Sequence, residues 1–260
     1  MSKKRYAAKK RFGQNFLTDS YYLERLVAEL CLHQDDHVVE IGPGKGALTQ
    51  YVLPKVSAYS AIEIDRDLIP LLKKKFHAQP KFHLYVADAL KFNFSTLYQT
   101  TPLHFIGNLP YNIASPLLFH LFKFNPLIET MHFMLQREVA ERITAEIKTP
   151  QYGRLSVMAQ YFCNIELLLS VPPKAFSPKP KVFSAFCRFI PKQKTMLTAN
   201  NERIFADIVK EAFTYRRKIL GNSLKKYITF DELELLGINP MRRAETLSVN
   251  EFIKLSNTIT

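Results

Sequence analysis

Three glycines, Gly42, Gly44 and Gly46, stand in the run VVEIGPGKGALT, and two carboxylates follow them, Glu63 in SAIEID and Asp88 in YVADAL. A G-x-G-x-G run turns the backbone sharply and lets it approach a ligand with no Cβ in the way. A carboxylate about 20 residues beyond such a loop accepts hydrogen bonds from ribose hydroxyls. A second one, at the end of the next strand, is suited to an adenine amino group. Each feature also has an ordinary reading, since glycines make turns and strand-end acids cap helices. Their recurrence at successive strand ends favours adenosine. Phosphates fit poorly, because the spacing departs from G-x-G-x-x-G, Lys45 is not followed by Ser or Thr, and Pro43 offers no N–H. A nucleoside without phosphates fits better, and S-adenosylmethionine matches: its positive sulfonium suits a carboxylate such as Glu40 and carbonyl dipoles.

The elements that must position these residues alternate. Periodic apolar positions predict a helix over 21–30, and HVVEIG at 37–42 reads as a strand. A helix after Gly46 (GALTQYVLPKV), the strand YSAIEI, a helix over 67–76 and the strand FHLYVAD follow. Strands separated by helices of this length predict a doubly wound α/β domain with a mostly parallel sheet. LHFIGNL and ETMHFML add two strands, and QREVAERITAEI adds a helix. NIELLLSV and SAFCRFI, with the Pro-rich PPKAFSPKP between them, read as an antiparallel pair closing one edge. After the polar stretch KQKTMLTANN, helical periodicity returns in ERIFADIVKEAF, KILGNSLKKY and VNEFIKLSNTI, which predicts a small all-helical domain over 194–260.

The chain has 260 residues, enough for one large domain or two unequal ones, and no apolar run approaches the roughly 20 residues of a membrane span. The basic start, MSKKRYAAKKRF, is followed by no apolar segment, so no secretory signal is read there and a cytoplasmic protein is expected. Three scattered cysteines, read as core or half-buried thiols, argue against a disulfide framework and a metal site. Lys and Arg number 36 against 23 Asp and Glu, a formal +13, and the excess clusters near the N-terminus, at KPK (179–181) and at TYRRK (214–218). That footprint suits nucleic acid. His33 and His37, spaced i and i+4, are read as part of a solvated loop rather than as metal ligands.

GNLPYNIASP, at 107–116, at first looks like a turn that ends a strand. Taken with GQNFL (13–17), EIGPGKGALT (40–49), EID (63–65), DAL (88–90), MLQREVAERI (134–143), YGRLSV (152–157), FSPKPKVFSA (176–185) and AFTYRRKILGNSL (212–224), it closely resembles the bacterial small-subunit ribosomal RNA adenine N6-dimethyltransferases. These motifs run in order through nearly the whole chain. The resemblance implies a Rossmann-like methyltransferase domain over 1–193, whose residues 1–19 form a basic arm and a segment covering the cofactor, and an RNA- or ribosome-binding helical domain over 194–260. It implies S-adenosylmethionine contacts from Asn15, Leu17, Gly42, Glu63, Asp88 and Asn108. The expected reaction is dimethylation of two adjacent adenosines in a hairpin near the 3′ end of small-subunit rRNA, in the assembling 30S particle, by a monomer that uses no metal.

In that chemistry the exocyclic amine of adenine is a poor nucleophile. The Asn108 side-chain oxygen and the Leu109 carbonyl would hold its N–H groups so that the lone pair faces the methyl group. Pro110 would fix the direction of that carbonyl, Tyr111 would stack on the target base, and Phe176 is the candidate for the base's other face. RNA contacts are expected from Lys9, Lys10, Arg11, Lys179, Lys181, Arg216, Arg217 and Lys218. Two alternatives stand beside this: a large-subunit dimethyltransferase of the macrolide-resistance type, and an RNA-binding assembly factor whose methylation is incidental.

Overall fold

A computed structural model describes Lys9 and residues 13–215 and 217–259. Lys10, Arg11 and Arg216 lie outside the described residues. The chain falls into two compact units, one of residues 1–140 and 166–191 and the other of residues 141–165 and 192–260. The sequence suggested a single cut at 193/194. The difference arises from a helix the periodicity did not reveal, α6 (Arg154–Phe162), which runs directly into a strand with no Gly or Pro between them. Its Tyr161 ring lies 4.4 Å from Phe205 on the C-terminal helix α7 (Glu202–Thr214).

The first unit is built on a seven-stranded sheet. Its strands in chain order are β2 (His37–Ile41), β3 (Ala58–Glu63), β4 (Phe82–Val86), β5 (Leu103–Asn108), β6 (Ile128–Gln136), β7 (Cys163–Val171) and β9 (Ser184–Pro191), and their spatial order is β4-β3-β2-β5-β6-β9-β7. Strands β2 to β6 pair in parallel, and β9 pairs antiparallel with β6. The mostly parallel α/β fold is the one expected. From β2 the chain builds outward through β3 and β4, then returns to place β5 on the other side of β2. That reversal opens a crevice at the carboxyl ends of β2 and β5, where folds of this kind bind ligands.

Both faces of the central strands are covered, so β2 and β3 read as continuous apolar runs. Val38, Tyr59, Ala61 and Ile106 share one cluster with Leu23 and Leu26 of α1 (Ser20–Glu29), Val52 of α2 (Thr49–Val52), and Leu72 and Phe76 of α3 (Ile69–Phe76). On the opposite face Phe105 meets Phe94 at 5.0 Å. The helix expected after Gly46 is only the four residues of α2 followed by a tight turn at Leu53–Lys55, because Pro54 cannot donate to a continuing helix. A second sheet was not foreseen. Its strands, β1 (Phe16–Leu17) and β8 (Phe176–Ser177), are two residues each, too short to leave a periodic signal.

The second unit is helical, with α6, α7, α8 (Leu220–Ser223), α9 (Phe230–Leu235) and α10 (Val249–Thr258). The start of α7 is capped by Asn201, whose side-chain oxygen accepts from the N–H groups of Arg203 and Ile204. Reciprocal capping boxes, Thr229 with Glu232 and Ser248 with Glu251, start α9 and α10. Helix α9 was not expected, although T-F-D-E is a legible start signal. The buried rings of Phe205 and Phe252 anchor this unit's core.

Candidate active site

A cavity of about 450 Å³ opens at the carboxyl ends of β2, β3 and β5. Its lining includes Asn15, Leu17, Gly42, Glu63, Asp88 and Asn108, all six residues expected to contact a cofactor, together with Leu109, Pro110 and Tyr111. Separate stretches between residues 13 and 113 thus converge, because consecutive parallel strands deliver their carboxyl ends to one edge.

The glycine loop follows β2 with Gly42, Gly44 and Gly46 all at positive φ, between +60° and +71°. The N–H groups of these three glycines are committed within the protein. Gly42 donates to the Ile62 carbonyl (2.9 Å), Gly44 to Glu63 Oε2 (3.1 Å) and Gly46 to the Pro43 carbonyl (2.8 Å). With Pro43 lacking an N–H, the loop is no anion cradle. At Gly44 a Cβ would come within 2.9 Å of the Phe16 ring, so the covering segment 13–17 packs tightly against the loop.

Four polar side chains give the cavity its chemistry. Glu63 is 4% exposed, and burial raises its pKa. Each of its carboxylate oxygens takes one backbone N–H, Oε1 from Asp65 (2.9 Å) and Oε2 from Gly44, and keeps a second lone pair for a hydroxyl. Asp88 forms a turn in which Oδ1 accepts from the Leu90 N–H at 2.9 Å. Glu40, 2% exposed, accepts from Thr49 Oγ1 (2.5 Å) and the Tyr59 hydroxyl (2.7 Å); burial carries its pKa up to about 7. Asn108 ends β5 and donates Nδ2 to the Asn15 carbonyl at 2.7 Å. That bond settles the amide's orientation, leaving Oδ1 as its acceptor end.

Beside Asn108, the Leu109 N–H donates to the Met134 carbonyl (3.2 Å), which continues the β5–β6 ladder one residue beyond the strand. Tyr111 is half-buried, and its hydroxyl meets Ser184 Oγ at 3.0 Å. One end of the ring is thereby anchored to β9. Met134 and Phe186, which sequence reasoning missed, also line the cavity. Their signal was indirect, lying in the alternation of β6 and β9, which puts them on the face that carries Asn108.

Several expected residues lie elsewhere. Phe176 is 4% exposed and belongs to the core cluster. Paired with Leu17 across the small β1–β8 sheet, its ring is no free face for a base. Lys9 is not an open cation for phosphate, because its Nζ lies 2.6 Å from Asp65 and 2.5 Å from Asp67. Those carboxylates hold its pKa above the usual lysine value. Lys179 and Lys181 are exposed before β9. Arg217, in the helical unit, lines a hollow with Lys148, Arg243 and Glu245, and the Lys218 ammonium lies 4.4 Å from the Tyr215 ring.

The remaining histidines and cysteines carry no such geometry. His37 is the first residue of β2, half-buried and hydrogen-bonded to Ser60 Oγ (2.9 Å), rather than part of a loop. Cys31 is exposed, while burial pushes Cys163 and Cys187 up to about 12. Among the described residues no cluster of His, Cys, Asp and Glu is arranged to hold a metal, and no helix is long and apolar enough to cross a membrane.

Residues 5–260 match the family model described as ribosomal RNA adenine dimethylase. The chain is 50% identical over 256 residues to a ribosomal RNA small subunit methyltransferase A of Coxiella burnetii, covering 98% of this chain and 99% of that one. The protein of the same name from Hydrogenovibrio crunogenus is 49% identical over 253 residues, covering 96% and 95%. Among solved structures, a dimethyladenosine transferase from Plasmodium falciparum is 27% identical with a TM-score of 0.79, covering 92% of this chain and 95% of that one. The 23S rRNA methyltransferase ErmE, also 27% identical, has a TM-score of 0.68 and covers 94% and 99%.

Proposed function

The chain belongs to the ribosomal RNA adenine dimethylase family, and from that premise we propose that it dimethylates the N6 amines of two adjacent adenosines in a hairpin near the 3′ end of small-subunit rRNA. S-adenosylmethionine, when bound, supplies a methyl group made electrophilic by its sulfonium. The residues present suit it. The glycine loop's spent N–H groups disfavour a phosphate, Gly42 presents an open face where a Cβ would meet nothing within 4 Å, and three acidic side chains line the cavity. Glu63 is assigned to the ribose hydroxyls and Asp88 to the adenine amine of the cofactor. Asn15 and Leu17 cover it.

The observation that carries the reaction is the Asn108 amide, held by the Asn15 carbonyl at 2.7 Å. Asn108 Oδ1 and the Leu109 carbonyl together accept the N–H groups of the incoming adenine amine and turn its lone pair toward the methyl group. Orientation and charge stabilisation of this kind are worth several kcal/mol and need no strong base. Pro110 limits the backbone freedom of Leu109 and so keeps that carbonyl aimed. Tyr111, tethered through Ser184, supports the base. The helical unit, with Arg217 and Lys218, and the exposed Lys179 and Lys181 hold the RNA. The protein works as a monomer, which light scattering at assay concentration checks.

The test is to incubate the protein with labelled methyl donor and small subunits lacking the modification, then map the product by mass. Two neighbouring dimethyladenosines near the 3′ end are expected. Label confined to large-subunit RNA would instead favour the activity named for ErmE, to which the chain is less similar than to the small-subunit relatives. If Asn108→Ala protein restored every ribosome phenotype of a strain lacking the wild type, methylation would be incidental to assembly.

A further inference from the structure

A closed ring of bonds ties Lys9 to the rim of the cavity. Its Nζ reaches Asp65 Oδ1 (2.6 Å) and Asp67 Oδ2 (2.5 Å), Gln14 Nε2 donates to Asp65 Oδ2 (3.0 Å), and the Lys9 N–H donates to Gln14 Oε1 (2.9 Å). Asp65 follows β3 and is 1% exposed, so its carboxylate depends on these donors and on the Asp67 N–H (3.1 Å) rather than on water. Its own N–H donates to Glu63 Oε1 at 2.9 Å. Asp65 therefore faces two ways: its backbone holds the carboxylate assigned to the ribose, and its side chain holds the start of the covering segment. Gln14 lines the cavity, and the next residue, Asn15, presents the carbonyl that holds the Asn108 amide at 2.7 Å. Residues 14 and 15 thus join the end of β3 to the end of β5. Gly13, just before them, sits at φ +60°, and a Cβ there would come within 3.1 Å of Asn112 Oδ1, so the path of the segment is narrow.

We propose that Lys9 and Gln14 are positioning residues of the methyl-donor site, latching residues 13–17 over the cavity through Asp65 and so keeping Glu63 and, by way of Asn15, Asn108 in place. This rests on the reading of the cavity as an S-adenosylmethionine site. It gives the Lys9 ammonium a task within the protein instead of a contact with RNA phosphate. The physical reason is the cost of a buried carboxylate. With the ammonium in place, Asp65 is compensated without water, and the segment lies closed. Without it, Asp65 regains full solvation only when segment 13–17 lifts, and lifting that segment uncovers the cofactor. Removing Lys9 therefore sets hydration of Asp65 in competition with ligand binding. The competition is blind to the sulfonium charge, because the segment covers both the methyl donor and its thioether product.

The experiment is calorimetric titration of the full chain with S-adenosylmethionine and, separately, S-adenosylhomocysteine, beside steady-state kinetics and small-subunit binding. In Lys9→Met both ligands should bind about 10-fold more weakly, as expected when a hydrogen bond to a charged group is lost. KM for the methyl donor should rise by a similar factor, while kcat at saturating donor and affinity for the RNA particle stay near wild type, because bound cofactor closes the segment again. Lys9→Arg should restore both affinities. In an Asp65→Asn background, Lys9→Met should add little, since the two residues act as one unit. If Lys9→Met does not fold, Lys9→Gln carries the same expectation. Unchanged cofactor affinity would overturn the proposal, and so would a loss confined to RNA binding, which would return Lys9 to phosphate contact. An equal loss in Lys9→Arg would overturn it too, because packing rather than charge would then be at work. Failure of the wild type to bind either ligand would remove the cofactor reading itself, an outcome distinct from all of these.

Discussion

One face of the large sheet carries polar side chains at both of its ends, and the two ends use them differently. At the carboxyl end Glu40, Glu63 and Asn108 border a cavity with hydrogen-bonding capacity to spare. At the amino end the polar groups are spent on one another. His104 meets Asp36 (3.3 Å) and Thr130 Oγ1 (3.1 Å), and Arg188 donates to His132 Nε2 (3.1 Å), Glu166 (3.0 Å) and the Glu29 carbonyl (2.8 Å). Among the described residues, His132 Nδ1 is buried with no hydrogen-bond partner. Charged residues on a sheet face therefore do not by themselves mark a site. What marks one is residual acceptor capacity facing space that a ligand can fill.

If that contrast is right, the largest response belongs to Asn108→Ala. Methyl transfer should fall by about 10²- to 10³-fold, the range seen when one oriented polar group is removed from a transition-state site. The melting temperature should stay within a few degrees of wild type. A large loss of stability would place Asn108 with the structural end instead.

Tyr111→Ala comes next. Loss of base stacking, roughly 1–3 kcal/mol, should lower kcat/KM for RNA by about 10- to 100-fold while cofactor affinity barely moves. Equal losses in both quantities would make Tyr111 a wall of the cofactor cavity rather than a support for the base.

Arg188→Met probes the amino end, and here the expected pattern inverts. Three acceptors lose their donor, and stability should drop by roughly 2 kcal/mol, read from urea unfolding, with cofactor affinity unchanged. A selective loss of cofactor binding would dissolve the distinction between the ends.

The smallest effects are in pH, and their signs differ between the ends. Burial and the Arg188 charge hold His132 at about 3 rather than 6.5, so the stability it contributes is present above pH 6.5 and is lost as pH falls toward 3. Glu40 is raised from 4.5 to about 7, so its contribution is present below pH 4.5 and is lost as pH rises through 7. Urea midpoints between pH 4 and 8 should show a flatter acid limb in His132→Phe, and in Glu40→Gln should lose the decline between pH 4.5 and 7.

Much of this division is visible in the sequence, for physical reasons. The Gly-rich loop, the strand-end acids and NLPY are local patterns, and parallel topology carries them to one edge. Phe176 and Lys9 were misjudged because type and neighbours do not reveal pairing with residues about 160 and 56 positions away. Helix α6 was hidden because it passes into β7 with no breaker. The packing of Phe16, Lys75 and Phe76 against Gly44 and Gly46 could not be read at all, since it depends on residues brought together in space.

The two-residue pairing of β1 with β8 also has a kinetic side. Thr18 and Asp19 both donate to the Ala175 carbonyl, so backbone bonds to residues 175–177 hold one side of the cavity's cover, beside the Asn108–Asn15 bond and the packing of Phe16 on Gly44. So small a ladder is expected to open locally, at less cost than unfolding the large sheet. Because the ladder joins Leu17 to Phe176, lifting the cover releases both partners at once. Ligand exchange and motion at the root of the Lys179–Lys181 segment then share one opening event. Amide exchange at Leu17 and Phe176 should accelerate and slow together, and uncoupled rates would separate the two movements.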